Sequence, residues 1–268
     1  MKVSIITATY NSQYHIADCL QSVAQQDYSN IEHIVIDGGS TDKTIEIVKS
    51  FSTVSRYISE ADNGIYHALN KGIKLSNGDL IGFVHSDDML AANDIISKIV
   101  DAFDNKAPIL SPLRSHSFSK KESKDTKVDG VYGNLVFVDP ENTKKVVRNW
   151  ISTSFDRRQV KRGWMPPHPA LFLRRDVYKK HGPFDISFKI AGDYDFMLRI
   201  MLDKNINLRL LPETVVKMRK GGVSTGNFRA LCSKKAEDLR ALRKNGFTFP
   251  LPILLMKNFN KLPQLWKK

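Results

Sequence analysis

The chain has 268 residues, 41% of them hydrophobic, and a formal charge of +13. That length suits one α/β domain with additions or two small ones, with enough apolar residues for a sizeable core. The charge asks for an anionic partner such as nucleic acid, anionic lipid or a phosphorylated substrate. No zinc-finger spacing or RNP signature supports nucleic acid, and no run of eighteen apolar residues supports a membrane span.

Val3-Ser4-Ile5-Ile6-Thr7-Ala8-Thr9-Tyr10-Asn11 reads as a strand running into a polar turn. A helix follows, with Ile16, Leu20, Val23 and Ala24 on one face. Ile31 to Asp37 is a second strand, broken by Gly38-Gly39, and Ser40, Thr41 or Asp42 can cap the next helix, whose stripe is Ile45, Val48 and Phe51. Residues 56–59 form a short third strand, and Asp62-Asn63-Gly64 is a turn signal. Ile65, Leu69 and Ile73 mark another helix, closed by Asn77-Gly78. A strand from Leu80 comes next, then a helix on Ile95, Ile96, Ile99, Val100 and Phe103. This β-α-β-α rhythm predicts a mainly parallel, Rossmann-like sheet with helices on both faces.

Residues 105–127, rich in Ser and Lys and without a period, read as a long basic loop that is mobile without acceptor. Strand character resumes at 131–138 and 170–173, with the rigid Trp164-Met165-Pro166-Pro167-His168-Pro169 before the second. Helices are expected at 176–181 and 193–202, a strand at 206–211, a basic glycine-rich loop at 217–226 and a charged helix at 230–244. The organisation is then 1–104, a first half; 105–128, the loop; 129–226, a second half; and 227–268, a C-terminal helical extension with a basic tail. Cys19 and Cys232 fit neither a metal spacing nor a disulfide framework, and Met1-Lys2-Val3-Ser4-Ile5-Ile6 turns polar too soon for a signal peptide.

The stretch Leu80-Ile81-Gly82-Phe83-Val84-His85-Ser86-Asp87-Asp88 carries the chemistry. A short apolar strand ends in two adjacent carboxylates, which repel unless a cation lies near them. Mg²⁺ or Mn²⁺ is such a cation, held by carboxylates together with phosphates. The plainer alternative is a solvated turn with an Asp helix cap. Tyr10 and Asp37 also lie at strand ends, so parallel strands gather them on the same sheet edge, where ligands of open α/β sheets bind. Tyr10 can stack on a nucleobase, or pack at the core's rim; Asp37 can accept from base or ribose, or cap a turn. In Gly192-Asp193-Tyr194-Asp195, one carboxylate can deprotonate an acceptor hydroxyl, or both can simply favour a helix N-terminus. His168 between its prolines is available to substrate or metal, or is structural. Lys217, Arg219 and Lys220 are placed to close over phosphates, or belong to an ordinary solvated loop.

Over residues 1–225 the chain resembles a family 2 glycosyltransferase with the GT-A fold. The likeness rests on the opening strand with Thr9-Tyr10-Asn11, Asp37-Gly38-Gly39-Ser40-Thr41-Asp42-Lys43-Thr44, Asp62-Asn63-Gly64-Ile65-Tyr66 through Asn70-Lys71-Gly72, and Ser86-Asp87-Asp88. It continues in His168-Pro169, Gly182-Pro183-Phe184-Asp185 and Asp193-Tyr194-Asp195 through Arg199. The resemblance implies an inverting, metal-dependent transfer of a sugar from a nucleotide sugar, a UDP-sugar, to a hydroxyl of a glycan or lipid-linked acceptor of a bacterial surface polysaccharide. Tyr10 and Asp37 would bind the base. Thr7, Asn63, Gly64, Asn70 and Lys71 lie in the matching segments and would complete the donor site. Asp87 and Asp88 would serve ribose, diphosphate and Mg²⁺ or Mn²⁺, and Asp193 would be the base. His168, Asp195, Arg219 and Lys220 would contact acceptor or phosphate. The chain departs from the pattern at His85, where many members have Asp, at His67 for Asp and at Gly192 for Glu. The rival reading is a non-catalytic module that binds nucleotide or polyanion on the same fold. A nucleotidyltransferase would need a glycine-rich, lysine-bearing loop after the first strand, which Asn11-Ser12-Gln13 does not supply.

The last stretch alternates Phe259, Leu262, Leu265 and Trp266 with Lys257, Lys261, Lys267 and Lys268 after the apolar 247–256. It is too short to span a bilayer but suits an anionic membrane interface. Packing on the chain's own core or a homodimer contact are the alternatives. The implied location is the inner face of the cytoplasmic membrane.

Overall fold

The computed structural model describes residues 1–104, 127–221 and 228–259, and the side chains of 228–231 are left aside. Nearly all of the expected mobile loop, the end of the expected basic loop and the last nine tail residues lie outside the described residues.

Four strands, β1 (Val3–Thr9), β2 (Ile31–Asp37), β3 (Val54–Ser59) and β4 (Leu80–Phe83), lie parallel in the order β3-β2-β1-β4. The helices α1 (Ile16–Ala24), α2 (Thr44–Ser50) and α3 (Ile65–Leu75) connect them. β1 is buried at every position, as a central strand covered on both faces must be. Its successive side chains divide between two cores: Ile6 packs with Leu69 and Tyr66 of α3, and Ile5 with Cys19 and Val23 of α1. α3 lies close on β1 at Gly72, where a Cβ would come within 2.4 Å of Ile6 Cγ2.

The parallel run ends at β4. The chain leaves the sheet at Val84 and returns as β5 (Asp88–Leu90) at the far edge, antiparallel to β9 (Leu208–Arg219). Between them come α4 (Ile95–Phe103), β6 (Gly130–Val138), β7 (Val146–Trp150), α5 (Arg157–Val160), β8 (Leu171–Arg174), α6 (Arg175–His181) and α7 (Gly192–Leu202). After β9 come α8 (Phe228–Lys244) and α9 (Pro250–Phe259). The sheet reads β3-β2-β1-β4-β8-β6-β9-β5, with β7 on β6. β8 is antiparallel to both β4 and β6, while β6 and β9 are parallel. The two expected halves therefore share one mixed α/β sheet.

Two strand expectations change. β7 goes unread in the sequence because its edge position leaves no buried alternation. β9 continues through Pro212 to Arg219, with a register shift against β6. Lys217 and Arg219 thus stand on a strand, not in a loop.

Candidate active site

The C-terminal edge of the parallel strands carries Tyr10, Asp37 and the 84–87 turn. Tyr10 follows β1 and is 62% exposed. Its ring lies along Gly38, where a Cβ would be 3.4 Å from Tyr10 Cδ2. An exposed ring against bare backbone is a stacking platform. Asn63 and Gly64 are also exposed, in the turn that opens α3, and Gly64 has φ 114°.

Other donor-site expectations meet a different geometry. Thr7 is fully buried: its hydroxyl donates to the Val84 carbonyl at 2.8 Å and lies 3.0 Å from His33 Nε2, so it braces β1 against β4. Asp37 is also buried, and its carboxylate accepts from Gly39 N (3.1 Å), Ser40 N (2.9 Å), Ser59 Oγ (2.7 Å) and Ser40 Oγ. It builds the loop under Tyr10 rather than offering a free acceptor. Asn70 uses both ends of its amide on the Phe184 backbone, each at 2.9 Å, and so ties α3 to the 182–185 loop. Lys71 pairs with Glu60 at 2.7 Å and with Asp62, holding the turn before α3.

The two adjacent carboxylates are separated by the fold. Asp87 is half-exposed in the turn after β4. Asp88 begins β5, is fully buried, and both its oxygens lack a hydrogen-bond partner among the described residues. Burial, and then the Asp87 charge, push its carboxyl well above the ordinary range, with Arg219 pulling the other way. Asp88 is thus the buried carboxylate of the pair, and Asp87 the one at the open strand edge. Arg219 is likewise not a free phosphate clamp. It is 6% exposed, pairs with Asp18 of α1, and donates to the carbonyls of Asp87 (3.2 Å) and Pro140 (3.3 Å). It fixes the turn that carries Asp87. Lys220 is exposed just beyond β9.

α7 supplies the second cluster. Asp193 sits half-exposed in its first turn, and its Oδ1 accepts from Tyr194 N at 2.8 Å. The Tyr66 hydroxyl donates to the Ile190 carbonyl at 2.7 Å and lies 3.3 Å from the same Oδ1. Tyr66 also explains Gly192, because a Cβ there would fall 2.8 Å from the Tyr66 ring. Asp195 is fully buried and bound to Arg199 Nε (3.1 Å), Lys244 Nζ (3.0 Å) and Asn245 Nδ2 (3.0 Å). It locks α7 to α8, and both its oxygens are engaged inside the protein.

Sequence reasoning missed this supporting layer. Glu237 of α8 accepts from the backbone N–H groups of Lys189 (3.0 Å), Ile190 (2.8 Å) and Ala191 (2.8 Å), closing the N-terminus of α7. Lys257 of α9 is buried on Asp238 at 3.0 Å, over the Tyr194 ring. These partners come from distant segments, and no local spacing announces them.

Two imidazoles lie between the clusters. His85 follows β4, and His168 opens a 3-10 turn (His168–Ala170). Their rings stack at 6.3 Å between centroids. The Asp193 charge acts on both, and the Asp87 charge also acts on His85. Asp87 at the strand edge and Asp193 at a helix N-terminus are half-exposed, and the Tyr10 ring is exposed just after β1.

Residues 4–182 match the family described as glycosyl transferase family 2. The chain belongs to that family. A PGL/p-HBAD biosynthesis glycosyltransferase of Mycobacterium bovis is 28% identical over 227 residues, covering 82% of this chain and 78% of that one. The structure of Staphylococcus aureus TarS 1–349 in complex with UDP-GlcNAc aligns at a TM-score of 0.61 and 21% identity, over 85% of this chain and 62% of that one. The mannosyltransferase PcManGT from Pyrobaculum calidifontis, in complex with GDP-Man and Mn²⁺, aligns at 0.62 and 18% identity, over 99% and 71%. The chain thus spans less than two thirds of TarS 1–349, and the GT-A fold is what these two structures share with it. The chain is a glycosyltransferase by family.

Proposed function

We propose that this glycosyltransferase moves a sugar from a UDP-sugar to a hydroxyl of a cell-surface glycan acceptor, with inversion at the anomeric carbon. The carrying observation is that Asp193 and Asp87 are the half-exposed carboxylates flanking one imidazole pair, while Asp88 and Asp195 are buried and turned inward. Tyr10 stacks on the base, and Asn63 and Gly64 border it. Asp193 takes the acceptor's hydroxyl proton, the new C–O bond forms at the anomeric carbon, and the bond to the diphosphate breaks on the opposite face.

Among the described residues, no three His, Cys, Asp or Glu side chains are arranged to hold a metal by themselves. Asp87 offers a single hard oxygen ligand, the type of site that Mg²⁺ or Mn²⁺ completes with substrate phosphates. Bound there, the cation would neutralise charge on the leaving diphosphate.

The acceptor class is supported by the M. bovis relative, which is named for PGL/p-HBAD biosynthesis. A panel of nucleotide sugars with Mn²⁺, scored by thermal shift, tests the donor. Ligand at 100 times its Kd adds about 2.7 kcal/mol, on the order of 5–10 °C for a chain of this size. A flat response to every UDP-sugar, with a shift for another nucleotide, would replace UDP in this reading.

The acceptor end lies near lipid in this proposal. No helix among the described residues is long and apolar enough to cross a membrane. α9 buries Pro250, Ile253, Leu254 and Lys257 against the protein and exposes Phe249, Leu251, Leu255, Met256 and Phe259. Lys257 is therefore not a lipid-facing cation as the tail pattern suggested. The exposed stripe fits an anionic bilayer surface, given the chain's charge of +13. Leu251→Asp with Leu255→Asp should lower co-sedimentation with anionic vesicles at least tenfold, leaving donor binding intact. Equal sedimentation of variant and wild type would remove α9 as the contact. Point changes are the cleaner test, since deleting α9 would also uncover Tyr194.

A further inference from the structure

Two ring nitrogens beside the base have nothing to bond. His85 Nδ1 and His168 Nε2 are both shut off from solvent and lack a hydrogen-bond partner among the described residues. A buried polar atom left unpaired costs about 1–3 kcal/mol, so each such atom calls for an explanation. The His168 ring is held by its neighbours: Phe83 stacks with it at 5.5 Å, Phe184 meets it edge-on at 5.7 Å, and His85 stacks with it at 6.3 Å. Pro167 and Pro169 fix the backbone around His168.

Their place in the site narrows the ligand. His85 stands two residues before Asp87 at the strand edge, and His168 packs on Phe184, whose ring lies 5.6 Å from that of Tyr66, the neighbour of Asp193. The pair thus lies between the proposed diphosphate end and the proposed base. In a displacement at an anomeric carbon, the transferred sugar ring occupies that interval. Burial holds His168 down at about 4, against the pull of Asp193, so at neutral pH it offers one N–H and one lone pair. Such a ring suits a hydroxyl or an acetamide, which both donate and accept. It does not suit a phosphate, which favours cationic donors.

We propose that His85 and His168 form a hydrogen-bonding shelf that reads the hydroxyl or acetamido groups of the transferred sugar, setting sugar choice separately from nucleotide choice. The inference rests on the donor reading above. A site built to bond a hydroxyl rejects analogues lacking it far more strongly than an apolar pocket does, because its own polar atoms are then left unpaired.

The test is calorimetric titration of wild type, His168→Phe and His168→Gln with UDP, and with whichever nucleotide sugar gives the largest thermal shift. Phe keeps the stack and removes both nitrogens; Gln restores a polar group near Nε2. UDP affinity should stay within twofold in all three proteins, which also certifies the fold. Affinity for the nucleotide sugar should drop at least tenfold in His168→Phe and recover in part in His168→Gln. Deoxy-sugar donors should bind wild type more weakly and His168→Phe with no further loss at the contacted position. Unchanged nucleotide-sugar affinity in His168→Phe, or an equal loss for UDP, overturns the shelf while leaving the donor reading standing. Failure of wild type to bind any nucleotide sugar removes both. His85→Gln should keep Mn²⁺ affinity, followed by paramagnetic resonance in the presence of UDP. Loss of Mn²⁺ would make His85 a metal ligand and take it out of the shelf.

Discussion

Asp193→Asn should lower turnover by about 10² to 10⁴ while donor affinity stays near wild type. The amide keeps the shape and the bond from Tyr194 N, but it has no proton affinity to spend on the acceptor. The neighbouring Asp195→Asn is the control that the structure makes informative. Asp195 is fully buried among Arg199, Lys244 and Asn245. Removing its charge takes one partner from Arg199, which keeps the His181 and Pro183 carbonyls, and one from Lys244, which keeps Asp185. Breaking a buried pair costs about 3–5 kcal/mol, near the low end here for that reason. The expected split is a stable, inactive Asp193→Asn and an unstable Asp195→Asn that retains turnover per folded molecule. Stopped-assay kcat with urea midpoints measures both. The reverse split would move the base to Asp195.

Asp87→Ala should lose Mn²⁺-supported donor binding and cut transfer on the order of 10²-fold, the scale of a few kcal/mol of lost charge stabilisation. Excess chelator should do the same to wild type and nothing more to the variant. Asp88→Asn should behave differently. Its carboxyl is buried, burial pushes it above the ordinary range, and the amide keeps its shape without a charge to bury. Transfer within about tenfold of wild type is expected there, since no ion-dipole contact to the ligand is lost. Titration of Mn²⁺ with UDP present, on both variants, checks the assignment. Full transfer by wild type in excess chelator would end the metal reading.

Much of the fold was legible because it is written in local periods. The alternation of strand and helix up to Phe103 follows from spacings of two and from three to four, and the observed β1 to α4 obey them. The ordered segments with Tyr10, Asp62-Asn63-Gly64, Asp87-Asp88 and Asp193 placed the chain in its family before any packing was known. What the sequence could not settle was which of two chemically identical groups faces the ligand. Asp87 and Asp88 are neighbours, but one remains in a turn and the other starts a strand paired with Met218, a partner 130 positions away in the chain. Asp193 and Asp195 share a helix, but only Asp195 meets Lys244 and Asn245 of α8. Thr7, Asn70 and Arg219 have the side chains a donor site wants and spend them on Val84, Phe184 and Asp18 instead. Residue type and spacing decide the fold class and the strand edge where chemistry gathers. Hydrogen-bond partners come from remote segments, so only the tertiary structure decides which polar groups are consumed inside the protein and which are left for a ligand.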